Sequence, residues 1–72
     1  AKPDPACYHM AIDYLGVAPE KIIGFEDSPR GMIALQAAGI GTAIWVAPES
    51  YGGPRDFLGP RALQFESLSR VF

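Results

Sequence analysis

Four consecutive apolar residues, Ile22-Ile23-Gly24-Phe25, stop abruptly at Glu26-Asp27-Ser28-Pro29, and this junction constrains the fold more than any other stretch. A continuous apolar run of strand length is what a strand covered on both faces shows, which predicts a central parallel strand. An acid or hydroxyl followed by Pro opens a helix: the side-chain oxygen accepts a bond from an orphan backbone N–H, and Pro suits the first helical position. A helix is therefore predicted from Pro29 through Ala38, with Gly39 as its stop. The next apolar stretch, 40–46, is predicted as a strand, because Thr42, Ile44, Trp45 and Val46 favour extended backbone. Strand, helix and parallel strand in this order form a right-handed crossover, so 22–25 and 41–46 should be neighbours in one sheet.

The same start signal appears earlier at Asp4-Pro5, and Tyr8, Ala11, Ile12 and Leu15 recur at three- and four-residue spacing up to Gly16. This predicts a first helix over 5–15 with one apolar stripe, followed by a connector at 17–20. Residues 47–60 read as loop, with Pro48, Gly52-Gly53-Pro54 and Gly59-Pro60 as breakers, before a short strand at 63–65 and a closing helical turn at 67–72. The order helix, strand, helix, strand is half of a doubly wound α/β fold.

Seventy-two residues make one small unit with no room for a second domain. Phe, Leu, Ile and Val number 18 of 72, enough to expect a folded chain. Eight acidic and six basic residues leave a net charge of −2, which argues against a nucleic-acid partner. The longest uncharged run, 31–48, is broken by three glycines and Gln36, so no membrane span is expected. Cys7 is the only cysteine, which excludes an internal disulfide and a cysteine metal cluster and suggests a reducing, cytoplasmic setting. With no basic neighbour to activate it, Cys7 reads as a small packing residue. His9 stands four residues before Asp13 and reads as half of an exposed pair. Trp45 and Phe25 read as core aromatics, and Arg30 as a surface arginine. Gly39-Ile40-Gly41 precedes a strand and lacks the third glycine of a dinucleotide loop.

In open parallel sheets ligands bind beyond the carboxyl ends of strands, where Glu26-Asp27-Ser28 falls. Two adjacent carboxylates repel each other, and a hard divalent cation relieves that; Mg²⁺ takes one or two protein carboxylates plus water and phosphate oxygens. Spacing alone nevertheless favours a simpler role, with Asp27 or Ser28 capping the second helix and Glu26 a solvated turn residue. Lys2 alone reads as a surface charge.

A wider pattern promotes these residues. Lys2-Pro3-Asp4-Pro5, Tyr8, Ala11, Leu15-Gly16-Val17, Pro19, Phe25-Glu26-Asp27-Ser28, Gly31, Ala34 and Ala37-Ala38-Gly39 together resemble the haloacid dehalogenase superfamily of phosphoryl-transfer enzymes. The match covers about the first 46 residues and is nearest the beta-phosphoglucomutase-like and phosphatase-like branch. The resemblance implies a Rossmann-like three-layer sandwich with parallel strands, of which this chain would be the C-terminal half of the core domain. It further implies that Lys2 faces an aspartyl nucleophile and the phosphoryl group and that Glu26 and Asp27 hold Mg²⁺. Ser28 would support those ligands or cap the helix, and Gly31 would let the second helix pack closely at the site. A lysine and a magnesium ion beside a transferring phosphoryl group suit its negative charge.

Enzymes of this kind carry an Asp-x-Asp-x-Thr or Val motif whose first Asp forms a phosphoaspartyl intermediate. Here the aspartates are Asp4, Asp13, Asp27 and Asp56, and none forms such a pair. Thr42 and Ser50 stand on the wrong side of the acids to serve as the second motif. The chain is therefore expected to be the C-terminal part of a larger enzyme, inactive alone, with its cap absent. The parent would be a Mg²⁺-dependent phosphatase or phosphosugar mutase acting on a small phosphorylated metabolite. The alternatives are a haloacid dehalogenase-type hydrolase and a truncated Rossmann-like module that only mediates association. An apolar strand deprived of its neighbour would leave an exposed edge, so self-association of the isolated chain is also expected.

Overall fold

The computed structural model describes residues 4–48 and 50–67. They form a helix α1 (Ala6–Leu15), a strand β1 (Ile23–Glu26), a helix α2 (Pro29–Ala37) and two further strands, β2 (Thr42–Val46) and β3 (Ala62–Phe65). A single 3₁₀ turn, Pro19–Lys21, occupies the predicted connector. The expected elements form within a residue or two of their expected bounds, and the closing turn at 67–72 lies almost wholly outside the described residues.

The Ser28 cap of α2 forms as expected, whereas α1 starts one residue later than expected, with Pro5 at its N-cap and no side-chain cap bond from that position. Asp4 Oδ1 accepts a bond from Ala6 N–H at 2.9 Å, and Ser28 Oγ accepts one from Gly31 N–H at 3.0 Å. Gly16 and Gly39, which follow the two helices, hold φ of 67° and 81°, a conformation that costs a residue with a Cβ.

The three strands make one parallel sheet in the order β1-β2-β3. Ile23 pairs with Thr42 and Glu26 with Trp45; Ala43 pairs with Ala62 and Val46 with Phe65. The parallel sheet with its β1-α2-β2 crossover is the partial Rossmann-like α/β arrangement that the sequence implies. One expectation is corrected: within the described sheet β1 is an edge strand, and the central place belongs to β2. Apolar length is common to both positions, and only the pairing of β2 with β3 separates them.

Alternation along the strands divides the sheet into two faces. On one, Gly24, Ala43 and Trp45 meet α2. The absence of a side chain at Gly24 matters there, since an added Cβ would lie 2.6 Å from Leu35 Cδ1 and 2.8 Å from Ile40 Cδ1. Met32, Leu35, Ala38, Ile40, Ala43, Trp45 and Ala47 form the core with Ile12 of α1, and Tyr8 packs against it. On the other face lie Ile23 and Leu63, 59% and 50% exposed, and Phe25, 38% exposed. The expectation that β1 is covered on both faces therefore fails among the described residues, and the second helical layer of a three-layer sandwich is not among them. Phe25 is accordingly not a core aromatic, whereas Trp45 is fully buried. Leu15, assigned to the apolar stripe of α1, and Cys7, read as packing, are both exposed. Helical spacing creates a stripe, but Ile12 alone of α1 is buried against the core.

A parallel connection needs a dozen or more residues, usually a helix. Here the described residues between β2 and β3, 47–48 and 50–61, cross without one. Trp45 substitutes for a helix core: Tyr51 and Phe57 pack edge-on against its ring at 4.8 and 5.0 Å between centroids. Arg55 lies over the Tyr51 ring at 5.1 Å and binds Tyr51 O and Gln64 Oε1. From α2, the Gln36 amide donates to Phe57 O at 3.0 Å and accepts from Gly59 N–H at 2.7 Å.

Candidate functional site

The carboxyl end of β1 and the start of α2 bring the candidate residues into one loop. Glu26 is the last residue of β1, Asp27 makes the bend, Ser28 caps α2 and Gly31 lies in its first turn. Phe25, Glu26, Asp27 and Val46 line an open cleft of about 410 Å³ beyond the ends of β1 and β2. This is where ligands bind in open parallel sheets.

The two acids are not equivalent. Glu26 is half-buried and faces the helices. Its Oε2 accepts a hydrogen bond from Tyr8 Oη, and its carboxylate fills the space above Gly31, where an added methyl group would collide with it. Asp27 is exposed at the cleft, and its backbone carbonyl accepts a bond from Trp45 Nε1–H at 3.3 Å. The first turn of α2, closed by Ser28, therefore leaves room for Glu26 only because residue 31 has no side chain.

Lys2 lies outside the described residues. Tyr8 was missed as a site residue by sequence reasoning, which placed it on the apolar stripe of α1 and within the family pattern but gave it no role at the site. Its signal was its chemistry, an aromatic body with one polar end that seeks a partner when it packs into a core. Trp45 was read as core and is core, but its indole N–H additionally steadies the acid loop.

The donor chemistry fits a hard divalent cation: two carboxylates at one strand end supply oxygen ligands of the kind Mg²⁺ accepts. Among the described residues no group of three His, Cys, Asp or Glu side chains converges to complete a site. Further ligands would have to come from water, substrate or elsewhere.

The sequence pattern of haloacid dehalogenase-like hydrolases matches residues 1–39, more than half of the chain and inclusive of the acid loop. The chain belongs to that family. A CBBY-like protein of Arabidopsis thaliana is 46% identical to this haloacid dehalogenase-like chain over 56 residues, 78% of the chain and 17% of the relative. The phosphorylated carbohydrates phosphatase of Thermotoga maritima is 49% identical over 39 residues, 54% of the chain and 18% of the relative. Hexitol phosphatase B of Escherichia coli K12 is 40% identical over 55 residues, 76% of the chain and 25% of the relative. The chain thus spans a quarter or less of the length of these curated relatives. No described helix is long and apolar enough to cross a membrane.

Proposed function

We propose that these residues form the C-terminal part of the core domain of a Mg²⁺-dependent phosphatase that acts in the cytoplasm on a small phosphorylated sugar or polyol. The single observation that carries the proposal is the placement of Glu26 and Asp27 on one cleft at the carboxyl end of β1. Two of the relatives are named as phosphatases of phosphorylated carbohydrates or hexitols, which supports the substrate class and favours hydrolysis over mutase or halide-removing chemistry.

In this proposal Asp27, exposed at the cleft, holds Mg²⁺ together with Glu26. Bound Mg²⁺ would neutralise charge on the phosphoryl oxygens. Ser28 and Gly31 fix the loop: the first ends the strand direction by capping α2, the second leaves space for the Glu26 carboxylate. Lys2 would supply positive charge to the phosphoryl group. The attacking aspartate lies outside these 72 residues, which contain no Asp-x-Asp pair.

The test is hydrolysis of a panel of sugar and polyol phosphates by the protein that carries this chain, with and without Asp27→Asn. We expect the substitution to lower kcat by about 100-fold or more. Undiminished turnover by Asp27→Asn would overturn the assignment. The purified 72-residue chain should show no turnover; genuine activity from it, lost with Asp27→Ala, would remove the need for an external nucleophile.

A further inference from the structure

Three anchors hold the acid loop, and two of them belong to the elements on either side of it. The β1–β2 ladder fixes Glu26 opposite Trp45, and the Ser28 cap fixes the first turn of α2. Asp27 stands between, in neither element, and is exposed at the cleft. Its backbone carbonyl accepts the third bond, from Trp45 Nε1–H at 3.3 Å, across 18 residues of sequence. An indole N–H can only donate, and Trp45 is fully buried, so this donor without a partner would cost free energy. The core is therefore tied to the one residue of the loop that belongs to neither the strand nor the helix.

We propose that Trp45 is a positioning residue of the metal site: its N–H holds the Asp27 peptide so that the carboxylate meets the cation at the cleft, and the residues that clamp the indole set metal affinity from outside the site. This rests on the metal role proposed above for Asp27. The clamp comes from the β2–β3 connection. Tyr51 and Phe57 meet the ring edge-on, at interplanar angles of 86° and 75°, and the Arg55 guanidinium lies 5.9 Å from its centroid. With the ring fixed on that side, the N–H is presented to the loop from a rigid base. Supporting hydrogen bonds orient a ligand before the metal arrives, and sites that lose such support bind metal about 10- to 100-fold more weakly.

The experiment uses the protein that carries this chain, free of metal and substrate. Trp45 is replaced by benzothienylalanine, which keeps the shape of the ring and exchanges its N–H for sulfur. Mg²⁺ affinity is measured by calorimetric titration, opening of the loop by amide hydrogen exchange at residues 26–28, and the fold by thermal unfolding. We expect Mg²⁺ to bind about 10-fold more weakly, exchange at the loop to speed up, and the melting temperature to stay nearly unchanged. Phe57→Leu loosens the clamp and leaves the cleft untouched. It should weaken Mg²⁺ binding with the indole in place and add nothing in the benzothienylalanine protein, the non-additivity expected of residues that act through one contact.

Unchanged Mg²⁺ affinity in the benzothienylalanine protein overturns the positioning role. So does weaker binding without faster exchange at the loop, or weaker binding together with a broad loss of thermal stability, since the N–H would then serve the fold as a whole. A Phe57→Leu effect of equal size with and without the N–H overturns the clamp. Failure of the metal role itself is a different result: the unsubstituted protein then binds no Mg²⁺ that Asp27→Asn abolishes, and the positioning role falls with it.

Discussion

The two faces of the sheet are built from the same strands and differ completely in what covers them. On the face turned to α2, Gly24, Ala43 and Trp45 are enclosed by Met32, Leu35 and Ile40. On the opposite face, Phe25, Ile44 and Leu63 stand side by side in register across the three strands, yet only the central Ile44 is buried. The flanking pair owe their exposure to the edges of the sheet, not to their own chemistry. Apolar character decides that a residue should be covered; neighbours decide whether it is.

The sharpest way to break this comparison is Trp45→Ala. Removing a fully buried indole around which Tyr51 and Phe57 pack should cost about 3–5 kcal/mol. For a chain this small that approaches the whole stability, so we expect urea unfolding followed by far-UV circular dichroism to show no folded baseline. A loss under about 1 kcal/mol would mean that the enclosed face is not the core.

Gly24→Ala probes the same face by adding rather than removing atoms. The new methyl would press on Leu35 and Ile40, and a destabilisation of about 1–3 kcal/mol is expected in the same assay. Ser28→Ala comes next at about 1 kcal/mol, the usual cost of a lost helix cap, because Gly31 N–H would lose its partner.

The smallest stability effect belongs to the bare face. Ile23→Thr and Leu63→Thr should each shift stability by no more than about 0.5 kcal/mol, as exposed positions do. Their effect should appear instead in sedimentation: a face with several exposed apolar side chains favours self-association, and polar substitutions there should move the chain toward monomer. A destabilisation comparable with that of Gly24→Ala would show that this face is covered after all.

Much of this was legible from short-range chemistry. The Asp4-Pro5 and Ser28-Pro29 starts, the glycine stops and the apolar strands all appear close to where local signals put them. The acid loop at the end of β1 was also legible, since strand end and helix start adjoin in sequence. The Tyr8 contact to Glu26 was not, because 18 residues separate the two and nothing local pairs them. The exposure of Phe25, Leu15 and Cys7 was hidden for the same reason: periodicity marks a face without naming its partner.

By itself, then, the sequence determined the elements, their order, and a carboxylate-rich turn at a strand's carboxyl end, because caps, glycine conformations and apolar runs act over only a few residues. Tertiary structure alone decided that β1 lies at the described edge and that Trp45 organises the β2–β3 connection. It also decided that Glu26 turns inward to Tyr8 while Asp27 stays exposed. These outcomes depend on which distant surfaces meet, and the free energy of such contacts belongs to pairs of segments that no local pattern joins.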